Sequence, residues 1–144
     1  MKIARFVVIA GLVVAGSAFA KGERTQPEAQ ARAAVMVTIA AQTKVLGDMA
    51  GGKTAFDAAA AEAAKLELAA AAASMAEVFA TEGAADPASE AAPAIWTGWD
   101  DFLAKTETLK VAAEGMDAAS LDGVKAGMGA VGGTCKACHS VYRE

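Results

Sequence analysis

The sequence predicts an all-α protein, an antiparallel up-down four-helix bundle spanning residues 21–144. Three observations lead to this prediction. Alanine, the residue with the highest helix propensity, dominates the chain and is densest from Ala58 to Ala73. Alternating runs of β-branched and aromatic residues, which would indicate strands, are nearly absent. Apolar residues recur at steps of three and four within four segments, and each such stripe is one face of a helix.

The first two helices are marked by signals at their ends. We expect the first helix to run from about Pro27, which suits a first-turn position, to Met49, before a pair of glycines. We expect the second to begin at residues 54–57 (Thr-Ala-Phe-Asp), which are close to a capping box, and to end before Gly83.

The last two helices follow a loop that contains Pro87 and Pro93. The third is expected to begin around Ile95 and to end near Gly115. The fourth is expected to begin after Ser120. Its apolar seam repeats every 3.5 residues, as in packed helical bundles: Leu121, Val124, Met128, Val131, Cys135, Cys138 and Tyr142. Short connections make consecutive helices antiparallel neighbours.

Near the end of the sequence, Cys135, Cys138 and His139 account for every cysteine and histidine of the chain. The spacing C-x-x-C-H is typical of covalent haem attachment. Each thiol can form a thioether with a haem vinyl group, and the adjacent imidazole can bind the iron. The sequence therefore predicts one covalent haem c with its iron. Because both cysteines lie on the seam, we expect the haem inside the bundle.

Other uses of this cysteine pair require features that the sequence lacks. A thioredoxin-like site belongs to a βαβ unit, and no strand is predicted here. A structural zinc site takes four ligands, whereas the motif supplies three and the chain has no further cysteine or histidine. A disulfide between residues three apart on one helix would constrain almost nothing.

The first twenty residues have the layout of a secretory signal peptide. Lys2 and Arg5 are basic, residues 6–16 form an apolar run, and residues 18–20 (Ala-Phe-Ala) offer a cleavage site. The alternative is an uncleaved anchor, but the apolar run is shorter than the roughly 20 residues that a spanning helix needs. We therefore expect cleavage after residue 20, no membrane segment thereafter, and a location in the periplasm, where haem is attached to such motifs.

The mature chain is acidic. The sequence has 13 basic and 17 acidic residues, and cleavage removes two basic ones, which leaves a formal charge of −6. This charge argues against nucleic-acid binding, which needs a basic surface. It favours a redox partner with a basic docking patch, because complementary charge steers encounter. Since no nucleophile, paired carboxylates or phosphate-binding loop is evident, the sequence does not predict an enzyme.

A second axial ligand for the iron has to come from outside the motif. With no second histidine, methionine is the next candidate. Apart from the initiator, the methionines are Met36, Met49, Met75, Met116 and Met128. Met128 shares a predicted helix with His139 and lies about 16 Å upstream by helix rise, so it cannot easily reach the opposite face of the same haem. The ligand therefore has to come from an earlier part of the chain.

Three segments resemble the class II cytochrome c family. Residues 135–143 match the family motif C-K-x-C-H-x-x-Y-R, and Arg32 and Met36 match an R-x-x-x-M-like element of its first helix. Residues 93–96 (Pro-Ala-Ile-Trp) resemble a motif of its third helix. The resemblance covers the mature chain and implies a four-helix bundle that carries haem in its core.

The resemblance also implies roles for particular residues. Met36 is the expected distal iron ligand, Arg32 a contact of a haem propionate, and Arg143 a residue near the proximal imidazole of His139. In the low-spin branch, typified by cytochrome c-556, methionine binds the iron and the protein looks like an electron carrier. In the cytochrome c′ branch the iron is open and can bind nitric oxide or carbon monoxide, and some of those proteins also carry methionine here.

Methionine at position 36 favours the low-spin branch. We therefore expect a carrier of single electrons with Met/His ligation, and keep the five-coordinate gas-binding protein as the alternative. Relatives are often dimers through their first two helices, so the resemblance leaves both a monomer and a homodimer open.

Overall fold

A computed structural model describes residues 22–144, and the predicted signal peptide lies outside these residues. The helices are α1 (Pro27–Ala50), α2 (Ala58–Val78), α3 (Ala94–Thr97), α4 (Trp99–Glu114) and α5 (Leu121–Tyr142). The four long helices pack as a ring in which α1 contacts α2 and α5, and α4 contacts the same two helices. The predicted four-helix bundle is confirmed, and α3 adds one further turn.

The observed starts of α5 and α2 show how well local sequence signals predict where a helix begins. Ser120 precedes α5 as predicted, and its Oγ accepts a hydrogen bond of 3.0 Å from the Gly123 N–H. The start predicted for the second helix at Thr54 was wrong, because α2 begins at Ala58 after the cap Asp57. The N–H of Thr54 instead donates to the carbonyl of Asp48, so this residue belongs to the turn that closes α1.

The third predicted helix is divided at Gly98 into α3 and α4. Gly98 has φ −116° and ψ 38°, which departs from helical geometry. Its carbonyl accepts a hydrogen bond of 3.3 Å from Tyr142 Oη, and a Cβ at this position would lie 3.2 Å from that oxygen. The break therefore lets the end of α5 approach the backbone of the α3–α4 junction closely.

An aromatic cluster centred on Phe102 joins α2, α4 and α5. Phe102 is 1% exposed, and its ring lies 5.1 Å from Phe79 at the end of α2. The ring of Trp99 stacks on it at 5.5 Å, and that of Tyr142 on α5 meets it edge-on at 5.4 Å. Aromatic pairs at these distances stabilise packing beyond their buried area.

The beginning of α1 is tied to the loop that follows α2. The carboxylate of Asp86 accepts hydrogen bonds from the N–H groups of Thr25 (2.7 Å), Gln26 (2.9 Å) and Ala88 (2.9 Å). These bonds lower the pKa of Asp86, with the bond from Gln26 as the largest cause. One side chain thus connects two segments about sixty residues apart in sequence.

Across residues 22–144, none of the helices combines the length and the apolar character that a membrane crossing requires.

Candidate haem site

The face of α1 that is turned towards α5 is built almost entirely of small residues. Its members fall at alternating steps of four and three: Ala29, Ala33, Met36, Ala40, Thr43 and Gly47. At one end of this stripe the two helices are close, since a Cβ on Gly47 would lie 3.6 Å from Met128 Cε. Met36 is the one large side chain in the stripe.

Beyond this contact the helices enclose a cavity of about 620 Å³, lined by residues of α1, α2, α4 and α5. The volume lies in the range of sites that hold cofactors. Five members of the α1 stripe line it, as do Met75 and Phe79 from the side of α2; the five are Ala29, Ala33, Met36, Ala40 and Thr43. The small α1 residues explain why space remains at this position of an otherwise packed bundle.

The register of α1 and α5 places Met36 and His139 at the same level of the cavity. Gly47 and Met128 face each other closely enough that a Cβ on Gly47 would touch Met128 Cε, and the two helices run antiparallel. Met36 lies eleven residues before Gly47, and His139 lies eleven residues after Met128. Both steps correspond to about 16 Å of helix rise in the same direction. Both side chains line the cavity, from α1 and from α5.

The two cysteines lie on the cavity wall and are not joined to each other. Cys135 and Cys138 are both half-buried free thiols. Burial raises the pKa of both thiols, so they are protonated at neutral pH. Both pack against the apolar core, as the sequence seam predicted.

His139 stands at the exposed edge of the same cavity. Partial burial is the largest cause that lowers its pKa, and the positive charge of Arg143 lowers it further, while Glu90 opposes the shift. The imidazole is therefore neutral at neutral pH. This is the form of histidine that binds metal ions.

Arg143 lies close enough to His139 for its charge to lower the pKa of the imidazole. Its guanidinium holds Glu90 in a two-point contact, with Nη2 at 2.7 Å and Nε at 2.8 Å from Oε2. Both residues line the cavity. Glu90 was missed by sequence reasoning, because it is 53 residues from its partner and lies in a loop with no recognisable motif.

Arg32 is buried at one end of the cavity. Its Nη1 donates to the carbonyls of Thr81 (3.1 Å) and Glu82 (3.0 Å), and its guanidinium lies 5.1 Å from the centroid of Trp96. Burial lowers its pKa. Its Nε has no hydrogen-bond partner among the described residues. Arg32 therefore also holds the loop after α2, which the sequence did not reveal, and its contact with a propionate stays a prediction.

The residues present fit a haem group. The wall offers two thiols and a neutral imidazole at the spacing that covalent haem attachment requires. The remaining surface is largely apolar. Its charged residues are five cations and one carboxylate: Arg24, Arg32, Lys44, Lys105, Arg143 and Glu90. An excess of cations suits a ligand that carries two propionates.

Comparison with known proteins agrees with this arrangement. The family model described as Cytochrome C' matches residues 28–143. The chain belongs to the cytochrome c′ family. Proteins of this family bind covalent haem c with its iron, and this member shares that cofactor.

Relatives with two different names are similar over nearly the whole chain. A cytochrome c' of Rhodopseudomonas palustris is 35% identical, with 96% of this chain and 95% of the relative covered. A cytochrome c-556 of Agrobacterium fabrum is 31% identical, with 99% and 95% covered. Both named types therefore occur among the relatives of this family member.

The fold is shared with solved members of the family. One of these is a nitric oxide complex of a leucine-to-alanine mutant of cytochrome c prime from Alcaligenes xylosoxidans. It matches with a TM-score of 0.72 and 26% identity over 81% of this chain and 93% of that one.

Proposed function

We propose that this member of the cytochrome c′ family is a periplasmic carrier of single electrons, with Met36 and His139 as axial ligands of its haem iron. The observation that carries the proposal is the position of Met36. It is the one large side chain on the small-residue face of α1, and it lies at the level of His139 across the cavity. The haem supplies the change between ferric and ferrous iron when it is bound.

Different residues of the chain would attach the haem and bind its iron. Cys135 and Cys138 fix the group through two thioethers, which keeps it in place in either oxidation state. His139, neutral at neutral pH, offers its ring nitrogen from α5. Met36 offers its thioether sulfur from α1. Because both ligands lie on long helices of a packed bundle, their positions change little when the charge of the site changes.

Methionine ligation also suits the proposed transfer of single electrons. Methionine paired with histidine raises the reduction potential of a haem relative to harder ligands. The side chain of Met36 is partly buried and packs against the apolar core. It is therefore held near the cavity and is not free to extend into solvent.

Leucine at position 36 tests the ligation. Met36→Leu nearly conserves volume, so the bundle should fold normally. Optical spectra of the haem-loaded variant should change from low-spin to high-spin. Met128→Leu is the matched control, since Met128 lies beside Gly47 at the closed end of the stripe and does not line the cavity. A low-spin spectrum retained in Met36→Leu would refute Met36 as the ligand.

The second candidate is a gas-binding haem protein with an open iron. It is favoured by the structural similarity to a cytochrome c prime that was solved as a nitric oxide complex. Under this alternative, Met36 packs over the iron without binding it. A wild-type ferric spectrum that is already high-spin would support this candidate against electron transfer.

We also propose that the redox partner presents a basic patch. The acidic side chains lie mostly away from the cavity, since Glu90 is the one carboxylate on its wall within residues 22–144. The outer surface of the mature chain is therefore negative and attracts a basic partner over distance. Electron-exchange rates with basic and acidic small carriers, measured at rising ionic strength, test this. A rate with the basic carrier that does not fall with salt would contradict it.

A homodimer through α1 and α2 is proposed from exposed apolar side chains on these two helices. Leu66 of α2 is 57% exposed and Val45 of α1 is 39% exposed, whereas Val37, which is 68% exposed, lines the haem cavity. Exposed apolar groups on neighbouring helices are typical of surfaces that associate. Sedimentation of the haem-loaded protein tests the proposal, with Leu66→Lys expected to shift a dimer towards monomer. A monomer at all concentrations would contradict it.

A further inference from the structure

Lys105 forms an ion pair that is oriented with its positive end towards the cavity. Its Nζ lies 3.5 Å from Oδ2 of Asp101, one helical turn earlier on α4. The lysine side chain is 28% exposed and lines the cavity together with Cys138. The Asp101 side chain is 59% exposed and lies in a separate surface depression beside Trp99. Water therefore screens the carboxylate more than the ammonium.

The carboxylate is held on this outer side by a second partner. Tyr142 Oη donates a hydrogen bond of 2.5 Å to Asp101 Oδ2 and also contacts the carbonyl of Gly98 at 3.3 Å. This bond, followed by the charge of Lys105, lowers the pKa of Asp101. The same bond raises the pKa of Tyr142 to about 12. At neutral pH the group therefore consists of an ammonium, a carboxylate and a neutral phenol.

The placement of the pair shows which charge is closer to the cavity wall. Lys105 lines the cavity together with Cys138, whereas Asp101 is not among the residues that line it. The pair therefore presents its cation to the wall that carries the attachment point.

Three other cations on the wall are placed differently. Arg143 is paired with Glu90, and both residues line the cavity, so their charges oppose each other there. The side chain of Lys44 is 73% exposed and is bound to Asp48. Arg32 donates to two carbonyls and feels the negative charges of three nearby carboxylates. Lys105 is thus a partly sheltered cation of α4 on the wall that carries Cys138, and its carboxylate partner does not line the cavity.

We propose that Lys105 raises the reduction potential of the haem through the positive charge that it places beside Cys138. Reduction adds one electron to the bound group, and a nearby ammonium in a sheltered position stabilises the added negative charge. The inference rests on the proposed attachment of haem to Cys135 and Cys138. It does not depend on whether Met36 binds the iron.

Spectroelectrochemical titration of the haem-loaded protein tests this role. Lys105→Met should lower the midpoint potential, by about tenfold in the equilibrium constant for reduction, or about 59 mV for one electron. Lys105→Arg keeps the positive charge, so its midpoint potential should stay at the wild-type value. Lys110→Met is the matched control, because Lys110 lies on the same helix, pairs with Glu107 and does not line the cavity.

The outcomes separate this inference from the proposal on which it rests. The haem content and the optical spectrum of each variant are measured first. An unchanged or raised potential in Lys105→Met with haem fully bound would overturn the role of Lys105. Equal shifts in Lys105→Met and Lys110→Met would also overturn it, since the effect would then be general. If the wild-type protein carries no covalently bound haem, the proposed attachment to Cys135 and Cys138 is refuted instead.

Discussion

Met36 and His139 lie at the same level on opposite walls of one cavity, although 103 residues separate them in sequence. The close approach of Gly47 and Met128 defines this relationship, because it marks the register of α1 against α5. The residues of the α1 stripe on either side of Met36 are small, so nothing bulky stands between the walls there. A planar group attached to Cys135 and Cys138 would present its two faces to these two side chains.

Covalent attachment predicts that haem stays with the chain after denaturation. Replacing both Cys135 and Cys138 with Ala should abolish haem staining on a denaturing gel, because no thioether can form. Lys136→Ala, which changes the exposed residue between them, should stain like the wild type. Staining that persists in the double variant would contradict the attachment.

Filling the small-residue face of α1 should exclude the haem. Ala40→Leu places a larger side chain on the cavity wall, one turn from Met36. We expect the ratio of haem to protein to fall well below one, while helicity by circular dichroism is maintained. Ala41→Leu is the control, since Ala41 is exposed and does not line the cavity. Full haem loading of Ala40→Leu would show that this wall is not in contact with the haem.

The aromatic cluster should contribute strongly to stability. Phe102→Ala removes a ring that is 1% exposed and contacts Phe79, Trp99 and Tyr142, so we expect a loss of about 3–5 kcal/mol in the free energy of unfolding. Chemical denaturation of the haem-loaded protein measures it. Val111→Ala, on the exposed side of the same helix, should change stability by less than about 0.5 kcal/mol. Equal losses in both variants would contradict the importance of the cluster.

The link between Asp86 and the start of α1 predicts a pH dependence. Its pKa is lowered below 3.8 in the folded protein, so the ionised form stabilises the fold fully above that pH. This stabilisation is lost as the pH falls through the folded pKa. Asp86→Asn should therefore melt below the wild type at pH 7, and the difference should narrow below about pH 4.

Thermal unfolding of both proteins across this pH range measures the effect. Glu114→Gln, at an exposed position near the end of α4, serves as the control for a lost charge. A difference between Asp86→Asn and the wild type that stays constant down to pH 3 would mean that ionisation of Asp86 is not the cause.

The sequence predicted the parts of this fold that depend on local patterns. The predicted seam packs into the core from Val124 to Tyr142, although Leu121 does not join it, and Ser120 caps α5 as predicted, because periodicity and capping act within one helix. The break at Gly98 was not predicted, since it depends on the approach of Tyr142 from 44 residues away. The start of α2 was misplaced because a turn at the end of α1 takes up Thr54.

The same distinction holds for the site. The motif at residues 135–139 and the resemblance at Arg32 and Met36 indicated a haem from sequence alone. The binding of Arg32 to the carbonyls at positions 81 and 82 depends on how a distant loop packs, and no sequence spacing encodes it. The inward orientation of Lys105 likewise follows from the way α4 is turned against α5.

Carbon monoxide binding by the ferrous wild-type protein tests the central claim most directly, because it reports whether the iron already has a ligand opposite His139. If Met36 binds the iron, the ferrous protein shows sharp low-spin bands that change little on addition of carbon monoxide. A high-spin ferrous spectrum that shifts readily with carbon monoxide would contradict Met36 ligation and favour the gas-binding candidate.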